Sequence, residues 1–188
     1  MRKMITVKIN GEERQYPQGA TYEDVANDYQ QEYENLIALA ARDGKIRELF
    51  KKLTRDCEVT FFTLKDDVGN KTYVRSATML FLKAVFDVYG REAAQSCRVE
   101  FAIGNGSYIS PRGQIAATED NAAKIRDRMR ELVEAKTPFL KRSYSLDNAM
   151  ELFRKEGMKD KEKLFRYRRG SFVNIYEMDG YYDYYYGY

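Results

Sequence analysis

The dipeptide Asn10-Gly11 constrains this chain more than any other short stretch. Both residues accept positive φ at low cost, which a two-residue antiparallel turn requires. The strand leading into it is legible. Met4-Ile5-Thr6-Val7-Lys8-Ile9 puts Ile5, Val7 and Ile9 on one side with period two, the pattern of a half-buried strand. Glu13 to Tyr16 is the expected return strand. Tyr16-Pro17-Gln18-Gly19-Ala20-Thr21 then turns the chain and delivers a helix. Thr21 is its N-cap, and Glu23 and Asp24 fall in the first turn, where the helix dipole favours acids. Tyr22, Val25, Ala26, Tyr29 and Tyr33 recur at helical spacing.

Leu36-Ile37-Ala38-Leu39-Ala40-Ala41 is a short apolar run closed by Asp43-Gly44, a strand with its turn. Ile46 to Leu53 reads as a connector, and Glu58 to Leu64 as a further strand. Hairpin, helix, then more strands is a β-grasp-like order. Asp66-Asp67-Val68-Gly69-Asn70 reads as a polar break, so two domains are expected, 1–66 and 67–188. Past the break, Thr72 to Tyr89 carries Val74, Ala77, Leu80, Phe81, Ala84, Val85 and Val88, a buried helix. Arg98 to Ile103 alternates as a strand, Gly104-Asn105-Gly106-Ser107 turns it, and Tyr108-Ile109 returns. Thr118 to Ala135 is a helix with Ile125, Met129, Leu132 and Val133 as its inner stripe, and Pro138 bars its continuation. Phe139 to Tyr144 reads as a strand. Ser145 caps a helix with Ala149, Leu152 and Phe153 inward, closing at Gly157. Lys159 to Tyr167 is a short helix and Ser171 to Tyr176 a strand. The fold class is therefore α+β.

The chain has no His in 188 residues. That excludes Ser-His-Asp and Cys-His triads and His-based zinc sites, and two Cys alone cannot hold a structural zinc. Any acid–base work falls to Asp, Glu, Lys, Tyr or Cys. Lys plus Arg number 32 against 29 Asp plus Glu, a net charge of +3, so the total does not mark a strongly electrostatic nucleic-acid binder. Cys57 and Cys97 are expected as reduced thiols in a cytoplasmic protein. Met1 to Asn10 lacks the apolar core of a signal peptide, and no run approaches the roughly 20 apolar residues of a membrane span. G-x-x-x-x-G-K-[ST] is absent, so phosphoryl transfer does not reside in these residues.

Ile5-Thr6-Val7, Asn10-Gly11, the Tyr16 to Thr21 turn, Asp24-Val25-Ala26 and Val59-Thr60-Phe61-Phe62 together resemble a TGS domain. That β-grasp module is shared by threonyl-tRNA synthetases, some GTPases and stringent-response synthetases. The remainder resembles the second N-terminal domain of threonyl-tRNA synthetase, which clears mischarged seryl-tRNA. In Tyr73-Val74-Arg75-Ser76-Ala77-Thr78-Met79-Leu80, Arg75 and Met79 fall where that family's helix motif carries His. Tyr184-Tyr185-Tyr186-Gly187-Tyr188 offers Tyr where it carries a Cys, and its second His position is expected beyond Tyr188. The resemblance thus implies an editing scaffold without its editing site, and no catalytic residue. Arg75 to Val85, Ala149 to Phe153, Lys159 to Arg168 and Asp183 to Gly187 resemble, further, the N-terminal region of bacterial uridine-kinase-like nucleoside kinases. That resemblance implies a non-catalytic accessory region serving ligand or RNA binding, regulation, or positioning of its own C-terminal kinase domain as partner. ATP and Mg would serve only that domain, beyond Tyr188. An alternative is a synthetase-related tRNA-binding or editing-like protein.

The degenerate cleft implied by the resemblance has Arg75, Ser76 and Met79 on its helix and Tyr185 or Tyr186 opposite. Arg75 there either binds an anion or is anchored by a carboxylate such as Asp183. A separate basic run, Arg154 to Arg169, holds eight cations against three acids. Lys161, Lys163, Arg166, Arg168 and Arg169 form its candidate binding face for RNA or a nucleotide. The competing reading is a solvated helix face with local ion pairs such as those offered by Asp160 and Glu162. Six of the last eight residues are Tyr, which reads as a terminal strand made to continue into more protein or to cover a partner.

Overall fold

A computed structural model describes residues 3–104, 106–113 and 115–187. It contains two compact units, one running up to Arg75 and including Gly187, the other Ser76–Tyr186. Asn105 of the expected turn and Tyr188 of the Tyr-rich end lie outside the described residues.

The first unit is a five-stranded sheet with one helix. Its elements are β1 (Met4–Ile9), β2 (Glu12–Pro17), α1 (Tyr22–Tyr29), β3 (Ile37–Arg42), β4 (Lys45–Glu48) and β5 (Cys57–Thr63), in sheet order β2-β1-β5-β3-β4. Strands β1 and β5 are parallel, and the other pairs antiparallel. Asn10 (φ 51°) and Gly11 (φ 88°) make the β1–β2 turn with both residues left-handed, as their types allow. Register Ile5↔Tyr16 and Ile9↔Glu12 keeps Ile5, Val7 and Ile9 on the core face, all fully buried. Each such side chain contributes about 1.5–3 kcal/mol by leaving water. They pack with Tyr22, Val25 and Tyr29 of α1, the apolar side of that helix. The Thr21 hydroxyl accepts from the Asp24 backbone N–H at 3.1 Å, and the Asp24 carboxylate accepts from the Thr21 backbone N–H at 2.7 Å. This reciprocal box satisfies two donors that a helix start otherwise leaves unpaired.

Two expectations for this unit are corrected. The connector after Asp43-Gly44 contains an edge strand, β4, whose Lys45-Ile46-Arg47-Glu48 lacks apolar alternation because one side pairs with nothing. The polar break at Asp66 to Asn70 is not a loop: α2 (Asp67–Tyr89) starts inside it. Asp66 accepts from the Thr63 backbone N–H at 2.6 Å and from its hydroxyl at 3.0 Å. Gly69 is helical, and a Cβ there would stand 2.1 Å from the Thr63 carbonyl oxygen. Glycine at this position therefore serves a close helix–strand approach, not a chain break.

The second unit contains the rest of α2, α3 (Arg91–Ser96), β6 (Arg98–Ile103), β7 (Gly106–Ser110), α4 (Glu119–Glu134), β8 (Leu140–Ser145), α5 (Leu146–Lys155), α6 (Lys159–Arg166), β9 (Phe172–Met178) and β10 (Tyr181–Asp183). Strands β8, β9 and β10 form an antiparallel sheet in the order β10-β9-β8, and β6 and β7 a separate hairpin. One apolar cluster joins Met79, Ala84 and Val85 of α2 to Ile125 and Leu132 of α4 and to Met178 and Tyr181. A second joins Phe153 and Phe165, 5.3 Å apart, to Val173 and Ile175. Thr118 and Ser145 cap α4 and α5 as their positions predict. Val133 is corrected: it is 60% exposed. At about 100° per residue it sits roughly 80° from Ile125, at the margin of the stripe that Leu132 completes. Helix α3, being short, has no signal in the sequence reading, and of the terminal strand expected over the Tyr-rich end, Tyr181–Asp183 form one, β10. Tyr184 to Gly187 lie outside any strand. No helix among the described residues is long and apolar enough to cross a membrane.

Candidate functional site

The second unit opens a polar cleft of about 400 Å³ where α2, α3, the start of β6, α6 and β10 converge. Lys161 projects into it from α6. Its ammonium lies 3.0 Å from the Asp183 carboxylate, which is nearly fully buried. Asp183 also accepts from the Tyr184 backbone N–H at 2.7 Å and, more loosely, from the Tyr181 hydroxyl at 3.4 Å. Tyr185 lines the same cleft. Its hydroxyl is buried and makes no hydrogen bond among the described residues. Burial, then the nearby Asp183 charge, hold the Tyr185 proton well above the ordinary tyrosine range, and the same two causes act on Tyr181. The Cys97 thiol is likewise pushed up by burial. Neither Cys97 nor Cys57 is in a disulfide. No Tyr or Cys here is thus poised as an anionic nucleophile near neutral pH. Arg98, Lys159, Asp160 and Gln95 complete the polar wall, with Arg98 and Asp160 4.0 Å apart. The cleft offers charges of both signs and hydrogen-bond donors. It suits binding better than bond cleavage.

The residues singled out in the sequence are distributed as follows. Met79 is fully buried in the apolar cluster against which Tyr185 packs. Ser76 is half-buried on α2. Arg75 belongs to the first unit, donates to the Thr72 hydroxyl at 3.3 Å, and has its guanidinium beside Gly187. Asp183, offered as an anchor for Arg75, is the partner of Lys161. Tyr186 is 83% exposed. In the basic run, Glu162 takes both Arg154 and Arg166 at 3.1 Å, and these two guanidiniums hold its carboxyl below the ordinary range. Arg168 donates to the Tyr184 hydroxyl and lies over its ring. Lys163 and Arg169 are exposed. Lys161 and Tyr185 therefore share the cleft, while Arg166 and Arg168 are tied to local partners. Asp160, Arg98 and Gln95 were not legible as cleft residues, because elements distant in sequence bring them together.

No family model matches the chain. It is similar to threonine–tRNA ligases. With that of Thermotoga maritima it is 27% identical over 186 residues, covering 91% of this chain and 28% of the relative. With that of Rhizobium etli (strain CIAT 652) it is 26% identical over 175 residues, covering 93% and 26%. With that of Carboxydothermus hydrogenoformans it is 25% identical over 183 residues, covering 92% and 28%. The chain thus spans little more than a quarter of the length of the curated relatives it matches. These relatives stand on the synthetase side of the resemblance in the sequence. The nucleoside-kinase side has no support among them.

Proposed function

We propose that this chain is a tRNA-contacting accessory region of the threonine–tRNA ligase kind, with a cleft that binds but does not hydrolyse. The observation that carries the reading is what stands at the positions the resemblance reserves for His and Cys. They hold Met79, apolar and buried in the cluster against which Tyr185 packs, and Tyr185 itself, buried and protonated in the cleft wall. Hydrolysis of an aminoacyl ester needs a base or an activated water, and no His exists to supply one. The Lys161–Asp183 pair and its polar neighbours remain able to hold a small zwitterionic or hydroxylated group. Lys163 and Arg169, exposed beside the cleft helix, would add phosphate contacts of the salt-sensitive kind. A cytoplasmic location fits this role.

The test uses the purified chain with threonine-specific tRNA, uncharged and charged with serine. Binding that weakens roughly tenfold or more between 50 and 200 mM salt supports the reading. Release of serine above the uncatalysed rate contradicts it.

A further inference from the structure

The first unit holds a second, more basic pocket that the proposed function leaves unused. It measures about 480 Å³ and lies where α1, the end of β3, β4 and the segment after β4 meet. Arg42, Arg47, Lys51 and Lys52 line it, against the single carboxylate of Glu48. Nearby acids are engaged elsewhere: Asp43 pairs with Arg55 at 2.7 Å, and Asp56 accepts from the Thr6 backbone N–H at 2.8 Å. Like charges converge in folded proteins at a cost, so a cluster of this kind is relieved by an anion.

Two further observations point to a ligand. The floor is Tyr22, 1% exposed, whose buried hydroxyl makes no well-formed hydrogen bond among the described residues, although the Arg42 guanidinium is close enough to lower its proton affinity. A buried hydroxyl so poorly satisfied is costly, and a ligand oxygen or a water ordered by a ligand would complete it. At the rim, Phe50 is 44% exposed, with the Lys51 ammonium 4.9 Å from its ring centre. A large exposed aromatic with a cation on it is a platform for a planar ring.

The pocket is also held in shape. The Tyr22 backbone N–H donates to the Lys51 carbonyl at 3.0 Å, Glu23 to Leu49 at 2.9 Å, and Leu53 to Ala20 at 2.7 Å. Arg42 is steadied by donating to the Thr54 hydroxyl at 3.2 Å. The cations thus stand on backbone pinned to the start of α1, which lowers the ordering cost of binding.

We infer that this pocket is a nucleotide site, with the Arg42, Arg47, Lys51 and Lys52 side chains holding phosphate and Phe50 stacking on the base. The volume suits one mononucleotide, within the usual range for small-molecule pockets. The site lies wholly within the first unit and does not depend on the cleft around Lys161.

The experiment is a binding titration of the full chain with ATP, GTP and UTP, beside tripolyphosphate, which carries the charge without a base. Nucleoside triphosphates are expected to bind about tenfold tighter than tripolyphosphate through stacking. Phe50→Ala should erase that advantage and leave tripolyphosphate unchanged. Arg47→Gln with Lys51→Gln should weaken every phosphate ligand at least about tenfold. Arg130→Gln, exposed on α4 in the other unit, should change none of them. All four positions substituted are at least partly exposed, and circular dichroism confirms their folding. Nucleotides binding no better than tripolyphosphate, or binding indifferent to Arg47 and Lys51, would overturn the inference. A short single-stranded RNA that displaces ATP and binds tighter would overturn it too, by assigning the pocket to an RNA end. Failure here leaves the tRNA-binding reading of the second unit standing, since the titration with threonine-specific tRNA tests that separately.

Discussion

The Lys161 ammonium on α6 meets the Asp183 carboxylate on β10 at 3.0 Å, with Asp183 nearly fully buried and Lys161 about a quarter exposed. The pair ties a helix to the edge of the three-stranded sheet and shapes the polar cleft. Removing only the cation leaves a buried carboxylate with the Tyr184 backbone N–H and the Tyr181 hydroxyl alone. Lys161→Met is therefore expected to cost about 3 kcal/mol, the low side of a broken buried pair because Lys161 reaches solvent. Urea unfolding measures it. Adding Asp183→Asn should recover most of the loss, and a purely additive double variant would contradict the pairing.

Thr21 and Asp24 form the cap of α1, so Thr21→Ala should cost about 1 kcal/mol. The Thr21 backbone N–H, then its hydroxyl, hold the Asp24 carboxyl below the ordinary Asp value. A carboxyl depressed in the fold lends stability above its unfolded value, and that share is lost as pH falls through the folded value. The Thr21→Ala penalty should therefore be full near neutrality and shrink in acid. A penalty independent of pH would argue against the hydroxyl's hold on the Asp24 carboxylate.

Tyr16, Tyr22, Tyr29, Tyr181, Tyr182 and Tyr185 all have their proton affinity raised, with burial the largest cause in each. Tyr16 adds a hydrogen bond from its hydroxyl to Asp28 at 3.0 Å. A tyrosine raised in the fold favours the neutral form. Its contribution is intact below the unfolded value near 10 and is lost as pH climbs through the folded value. Absorbance titration should show tyrosine ionisation that ends in a late, cooperative step coinciding with alkaline unfolding. A single transition for all tyrosines, with the circular dichroism unchanged, would contradict the buried placements.

Gly69 has no room for a side chain, since a Cβ would lie 2.1 Å from the Thr63 carbonyl oxygen. Helix propensity alone favours Ala over Gly by about 1 kcal/mol. The clash reverses the sign, and Gly69→Ala is expected to destabilise by about 2 kcal/mol, as overpacking does. A stabilised variant would show that α2 starts later than Asp67.

The first hairpin and α1 were legible because turn chemistry, alternation and capping all act within a few residues of Asn10 and Thr21. β4 was not legible, since an edge strand such as Lys45–Glu48 has little apolar face to show. The start of α2 was hidden by Gly69, whose reason is a contact with Thr63 and not a turn. Site reading divides along the same line. Lys161 and Tyr185 were named and share a cleft, yet the partner of Asp183 was legible only once α6 and β10 were placed together. The basic pocket escaped notice because its four cations sit on three different segments, with no local motif.

Under the proposed function, the second unit holds tRNA and hydrolyses no ester on it. The most direct measurement is one experiment on the purified chain with seryl-tRNA specific for threonine, following retention and ester hydrolysis together. Salt-sensitive retention of the tRNA is expected, with serine released no faster than in buffer. Hydrolysis above that background, abolished by Lys161→Gln or Tyr185→Phe, would contradict it.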